Sequence, residues 1–175
     1  MKKILIIVDY QNDFVSGSLG FQDAVLLEDQ IAEKIKDYRK NGWEVAFTYD
    51  THESNYLNTQ EGRKLPVPHC LKNTEGWRLY GKIAALCRTE DKCFEKPAFG
   101  SMQLAEYLAD KQYDCVEFAG VVSNICVLSN AVLAKAALPE AEIRVDAACT
   151  ASNDARLNQE ALDIMKELQI EIING

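Results

Sequence analysis

Histidine is nearly absent from this 175-residue chain, which carries only His52 and His69. Both fall in polar stretches after one apolar run, in Asp50-Thr51-His52 and Pro68-His69-Cys70. With two imidazoles committed there, none remains as a general base elsewhere. Cysteine or serine chemistry must then lean on a carboxylate or a lysine, which removes the Cys–His and Ser–His arrangements. Basic clusters are also missing, and a formal charge of −8 argues against binding a phosphate backbone. There is no Walker loop, and Gly17-Ser18-Leu19-Gly20 lacks the Gly-x-Gly-x-x-Gly spacing, so nucleotide binding has no support. No apolar stretch approaches the ~20 residues of a membrane span. The opening Met1–Val8 mimics a secretory signal briefly, but its short apolar run gives way to Asp9, Gln11, Asn12 and Asp13. The expected compartment is the cytoplasm, with neither nucleic acid nor membrane as a partner. None of the six cysteines (Cys70, Cys87, Cys93, Cys115, Cys126, Cys149) stands in a Cys-x-x-Cys pair. Buried free thiols are therefore expected rather than a disulfide framework.

What is present is an ordinary globular composition, 47% hydrophobic and 26% charged, at a length that suits one domain over 1–175. Ile4–Val8 is a continuous apolar run, as a parallel strand covered on both faces requires. Further strands are predicted around Val45–Tyr49, Cys93–Glu95, Val116–Ala119, Ile143–Ala147 and Ile170–Ile173. Helices are predicted between them: Leu27, Ile31, Ile35 and Tyr38 on one face before Gly42, then Trp77–Leu86. A helix capped by Ser101 follows, then Cys126–Leu138 ending at Pro139, and one with Leu157, Ala161, Ile164 and Leu168 inward. Six strands alternating with helices imply a doubly wound, mostly parallel α/β sandwich, Rossmann-like, with helices on both faces. Residues 51–76 form a long polar connection, and such loops are usually functional.

In sheets of this kind ligands bind beyond the carboxyl ends of the strands. Asp9 ends the first strand, Asp50 and His52 follow the second, Lys96 follows the third and Cys126 follows the fourth. The chemically suggestive residues thus converge on one edge.

Asp50, His52 and His69 supply one oxygen and two nitrogens, and Glu61 in the same loop adds a second carboxylate. A mixed N/O set suits zinc, manganese or ferrous iron better than calcium or magnesium. The alternative is a pair of solvated loop histidines beside a capping aspartate. Cys126 enters a helix after Gly120-Val121-Val122-Ser123-Asn124-Ile125, where the helix dipole favours thiolate. A Lys96 ammonium would lower the thiol pKa further, and Asp9 could take the thiol proton and return it to a leaving group. Singly, each has a plainer reading: core thiol, surface charge, strand-end cap. Asp13 is expected to tie its loop down through backbone hydrogen bonds. Phe14, Phe99 and Trp77 are candidates for a flat aromatic pocket, or for core.

Val8-Asp9-Tyr10-Gln11-Asn12-Asp13-Phe14 resembles the opening motif of isochorismatase-like cysteine hydrolases, the nicotinamidase branch in particular. Asp50-Thr51-His52 with Leu65-Pro66-Val67-Pro68-His69-Cys70 is similar to the metal loop of that branch. Lys96-Pro97-Ala98-Phe99 and Gly120–Cys126 are similar to its later two motifs, in order and at family spacing. The resemblance implies an Asp9–Lys96–Cys126 triad and one divalent metal, zinc first, on Asp50, His52, His69 and Glu61. It implies an oxyanion hole from the amides of Val122 and Cys126, with a cis peptide at Val121–Val122. It implies hydrolysis of a small carboxamide, nicotinamide to nicotinate and ammonia, through a thioester on Cys126, as in NAD salvage. It also implies a homo-oligomer.

Two departures bear on the substrate. Leu65-Pro66 stands where many nicotinamidases place a tryptophan, and Asn124-Ile125 replaces an Asp-His pair common before the nucleophile. The rival readings are an amidase of the carbamoylsarcosine or biuret type, an isochorismatase, and a non-catalytic α/β binding module.

Overall fold

The computed structural model describes residues 1–175. The chain runs β1 (Lys3–Val8), α1 (Asn12–Val15), α2 (Gln22–Leu26), α3 (Glu28–Lys40), β2 (Glu44–Asp50), α4 (Gln60–Lys64) and α5 (Gly81–Leu86). It continues through β3 (Lys92–Lys96), α6 (Met102–Lys111), β4 (Cys115–Val121), α7 (Leu128–Ala137), β5 (Glu142–Ala151), α8 (Ala155–Glu167) and β6 (Glu171–Ile173). The six strands form one sheet in the order β3-β2-β1-β4-β5-β6, every pairing parallel.

Two cores follow from strand alternation. Ile4, Ile6 and Val8 of β1 face one side, where Leu104 and Leu108 of α6, Ala131 and Ala134 of α7, and Ala161, Leu162 and Met165 of α8 cover them. Leu5 and Ile7 face the other, beneath Ile31 and Ile35 of α3 and Ile83 of α5. The result is the three-layer doubly wound sandwich that the strand runs imply. The strand order reverses between β1 and β4, so their adjacent carboxyl ends form the switch point at which such sheets bind ligands. The two strands meet closely there: a side chain at Gly120 (φ +113) would put its Cβ 2.2 Å from the Val8 carbonyl oxygen.

Three expectations need correction. The helix expected over Trp77–Leu86 begins only at Gly81, because residues 78–80 pair with the segment after β1: Asn12 N–H donates to Arg78 O at 2.8 Å and Tyr80 N–H to Tyr10 O at 2.9 Å. The helix expected from Cys126 is preceded by a wide π-type turn, Ser123–Val127, and becomes regular at Leu128. In α8 the buried row is Ala161, Leu162 and Met165, while Ile164 and Leu168 are exposed. The long connection after β2 is not bare loop: it holds a 3₁₀ turn, Tyr56–Asn58, and α4, capped by the Thr59 hydroxyl on Gly62 N–H at 3.0 Å.

Candidate active site

Four parallel strands deliver the site. Asp9 follows β1 with φ at +46°, a conformation uncommon for a residue with a side chain, and its carboxylate is fully buried. Asp50 and Lys96 are the last residues of β2 and β3, paired across the ladder. Cys126 lies in the π-type turn after β4.

Lys96 is the hub. Its ammonium lies 2.6 Å from Asp9 Oδ2, 3.3 Å from Asp50 Oδ1, 3.7 Å from Cys126 Sγ and 3.0 Å from the Ala98 carbonyl oxygen. Burial alone would lower its pKa, but Asp9, then Cys126 and Asp50, outweigh it and hold the amine charged. Asp9 is pushed above the usual carboxylate range by burial, with Asp50 adding to the rise, against Lys96 and a hydrogen bond from Thr48. Burial raises the Cys126 thiol well above its ordinary value, and the Asp9 charge raises it further, against Lys96. The thiolate expected from the helix start is therefore not the resting form. Burial and Asp9 outweigh Lys96, and the thiol keeps its proton beside a carboxylate able to receive it.

The second cluster shares Asp50. His52 Nε2 lies 2.8 Å and His69 Nε2 3.3 Å from Asp50 Oδ2, and Glu61 Oε1 lies 3.7 Å from both nitrogens. Asp50, His52 and His69 are buried, and one ligand atom from each falls within 4.8 Å of the others. His69 Nδ1 contacts the Val67 carbonyl at 2.8 Å, and because that oxygen only accepts, Nδ1 carries the proton. The Nε2 lone pair then faces carboxylate oxygens in a buried setting, an arrangement that requires a proton or a cation between them. Burial works against a charged His69, yet its bonds to Asp50 and to Val67 O raise its pKa, so the cluster favours positive charge among its donors. Burial likewise opposes charge on Asp50, but hydrogen bonds from His52 and His69, and then Lys96, hold its carboxyl well below the usual range. The residues fit a divalent ion.

Between the clusters lies a cavity of about 250 Å³. Cys126, Val122, Asp50, His69 and Glu61 line it, with an apolar wall of Phe14, Leu19, Phe21, Leu65, Phe99 and Ile125, and Asn153 at one side. The cavity thus takes in His69, Asp50 and Glu61 of the histidine cluster, the thiol, and two of the three aromatic candidates, Phe14 and Phe99. Trp77 does not line it. The indole packs on Tyr49 at 5.1 Å between ring centroids and donates to Thr51 Oγ1 at 2.9 Å, because Gln11 anchors the Trp77 carbonyl behind the strand ends. The Val121–Val122 peptide is cis.

Several supporting residues escaped the sequence reading. The Thr48 hydroxyl donates to Asp9 Oδ1 at 2.6 Å; it lies two residues before Asp50 on β2, so strand alternation alone could have found it. Tyr56 packs on both imidazoles, with centroids 4.7 and 5.0 Å away, and donates to Leu65 O at 2.8 Å, pinning the cavity wall. The buried Gln11 amide reads the Asp50 backbone twice, accepting its N–H at 2.8 Å and donating to its carbonyl at 2.9 Å. Asn130, one turn past Cys126, donates to the carbonyls of Cys126 and Phe99 and accepts from Ser101 N–H. Asp13 accepts from Ser18 N–H of its own loop at 3.5 Å, and more closely, at 2.8 Å, from Cys70 N–H in the loop that carries His69.

The isochorismatase domain family matches residues 3–174. An uncharacterised isochorismatase-family protein of Bacillus subtilis is 36% identical over 143 residues, covering 75% of this chain and 78% of its own. The crystal structure of a nicotinamidase/pyrazinamidase from Bacillus subtilis superposes with a TM-score of 0.88 at 28% identity, over 98% of this chain and 99% of the other. A pyrazinamidase of Pyrococcus horikoshii in complex with zinc has a TM-score of 0.87 over 100% of both chains; at 24% identity this likeness speaks to the fold alone. The chain belongs to the isochorismatase family.

Proposed function

We propose that this chain is a cysteine amidohydrolase of the nicotinamidase type, converting nicotinamide and water to nicotinate and ammonia. One observation carries the reading: the buried Asp9–Lys96–Cys126 cluster opens through Cys126 onto a largely apolar cavity that His69, Asp50 and Glu61 also line. The likeness to a nicotinamidase/pyrazinamidase at 28% identity over nearly the whole chain supports it.

In this mechanism Phe14, Leu65 and Phe99 hold the flat ring and exclude water. Asp9 takes the Cys126 proton as Sγ attacks the carboxamide carbon, forming the C–S bond as the carbonyl electrons move to oxygen. The backbone amides of Val122 and Cys126 hold the resulting oxyanion, each such donor contributing about 3–4 kcal/mol to lowering the barrier. Asp9 returns the proton to the amide nitrogen, the C–N bond breaks and ammonia departs. A water molecule then gives a proton to Asp9 as its oxygen attacks the thioester carbon; the C–S bond breaks, Asp9 passes that proton to the Cys126 sulfur, and the acid is released. Lys96 stays an ammonium throughout, which offsets the negative charge on Asp9 and on sulfur. Asp50, His52, His69 and Glu61 would hold a divalent metal, zinc by the chemistry of two imidazoles and carboxylates; when bound, it supplies a Lewis-acidic contact for a ring nitrogen.

Ammonia release from nicotinamide, pyrazinamide and a set of aliphatic amides tests the substrate. Release from the two ring amides, with aliphatic amides at least tenfold slower, is expected. Preference for a carbamoyl or aliphatic amide would overturn the substrate and leave the cysteine chemistry standing.

A further inference from the structure

Two thiols lie together far from Cys126. Cys87, at the C-terminal end of α5, and Cys93, the second residue of β3, have their sulfurs 3.9 Å apart. Both are free, Cys93 is exposed and Cys87 half-buried, so a small oxidant reaches them from solvent. Only the short turn 88–92 separates them; it is pinned by the Arg39 ion pair with Asp91 and by Arg88 N–H donating to Asp91 Oδ2 at 2.8 Å.

We propose that Cys87 and Cys93 form an oxidisable dithiol, a modification site that closes reversibly to a disulfide in the presence of a peroxide. The sulfurs need approach by only ~2 Å to reach bonding distance, on a turn that holds both side chains on one side. At 3.9 Å the two sulfurs are in hydrogen-bonding contact, with either one able to donate, and this contact draws the Cys87 thiol down to about 7. Cys87 is thus the sulfur that attacks and Cys93 the one that resolves.

The chemistry balances with hydrogen peroxide as the oxidant. The Cys87 thiolate attacks one peroxide oxygen, an S–O bond forms, the O–O bond breaks, and the departing hydroxide takes up a proton to become water. Cys93 then attacks the Cys87 sulfur, the S–S bond forms, the S–O bond breaks, and the hydroxide leaves as water with the Cys93 proton. Two thiols lose two electrons to one peroxide, giving one disulfide and two waters. The remaining cysteines differ in burial: Cys70, Cys115, Cys126 and Cys149 are all buried, and burial raises each of these thiols.

Peptide mapping by mass spectrometry under non-reducing conditions, after stoichiometric hydrogen peroxide, tests the proposal on the wild-type chain. The expected result is a Cys87–Cys93 crosslink lighter by two hydrogens, formed before any other cysteine changes and removed by dithiothreitol. Dimedone should label Cys87 in Cys93→Ser at least tenfold more than in wild type, because the resolving thiol is gone. Three results would overturn the proposal: Cys87 and Cys93 remaining fully alkylatable, equal dimedone labelling in both proteins, or a crosslink joining two chains.

Discussion

Lys96 Nζ and Asp50 Oδ1 lie 3.3 Å apart, and this contact joins two sites that would otherwise be independent. On one side of the pair stand Asp9 and Cys126; on the other, His52, His69 and Glu61. One buried carboxylate therefore serves both a thiol cluster and a metal-type cluster. Its two oxygens are divided between them: Oδ1 faces the ammonium and Oδ2 the imidazoles.

That division predicts how the metal responds to substitution. His52→Ala removes one of the three converging donors, and the purified protein should lose its divalent ion almost completely. Glu61→Gln removes the more exposed carboxylate and should retain the ion with affinity weakened about 10–100-fold. Metal content by atomic absorption checks both; full metal loading of His52→Ala contradicts the assignment.

Thr48→Val keeps the shape of the side chain but deletes the hydroxyl that donates to Asp9 Oδ1 at 2.6 Å. A hydrogen bond to a charged group contributes about 1.5–3 kcal/mol, so urea unfolding should show a loss of that size. The kcat should fall about tenfold with KM nearly unchanged, since Asp9 acts on protons rather than on substrate binding. A KM effect alone would place Thr48 elsewhere in the chemistry.

Gly120 is required by the close approach of β1 and β4. In Gly120→Ala the added Cβ would lie 2.2 Å from Val8 O, on backbone that φ +113 already makes unfavourable for a side chain. Two strands cannot part without disturbing both cores, and a loss of about 3 kcal/mol or more is expected in the unfolding free energy from urea denaturation.

Stability should also be lost on the alkaline side at a buried network away from the cavity. Lys34 forms ion pairs with Glu117 and with Asp146, the latter at 2.6 Å, and Tyr38 donates to Glu117 at 2.7 Å. Burial opposes the Lys34 charge, but bonds to Asp146 and Glu117 outweigh it and raise its pKa above 10.5. Burial and then the Glu117 hydrogen bond raise Tyr38 as well. Groups raised on folding contribute stability that is complete below their unfolded pKa and lost as pH rises through the folded one. This network should therefore keep its full contribution from neutral pH to about 10 and lose it above, on top of the decline that the four buried thiols begin near their unfolded pKa of about 8.5. Lys34→Met should flatten that fall and cost about 3–5 kcal/mol at neutral pH, because two buried carboxylates lose their partner.

Much of this was legible in the sequence, for physical reasons. Ile4–Val8 can be buried on both faces only as an inner parallel strand, and the strand ends then bring Asp9, Asp50, Lys96 and Cys126 to one edge. The α8 face was misread because two apolar rows compete on it. Leu157, Ala161, Ile164 and Leu168 make one row, but the sheet takes Ala161, Leu162 and Met165. Trp77 was misplaced because its backbone is held by Gln11, 66 residues away, a contact that local periodicity does not contain. Tyr56 was invisible for a similar reason, since its role depends on two histidines that only the folded loop brings around it. The thiolate expected at Cys126 leaves out burial, which the sequence does not display and which raises the thiol against Lys96.

The decisive measurement is ammonia release from nicotinamide by the metal-loaded wild type and by Cys126→Ala, with circular dichroism confirming that both are folded. Turnover in the wild type and a fall of about 10³-fold or more in Cys126→Ala are expected, since the thioester route is then closed. Turnover that survives in Cys126→Ala would contradict attack by the Cys126 thiol.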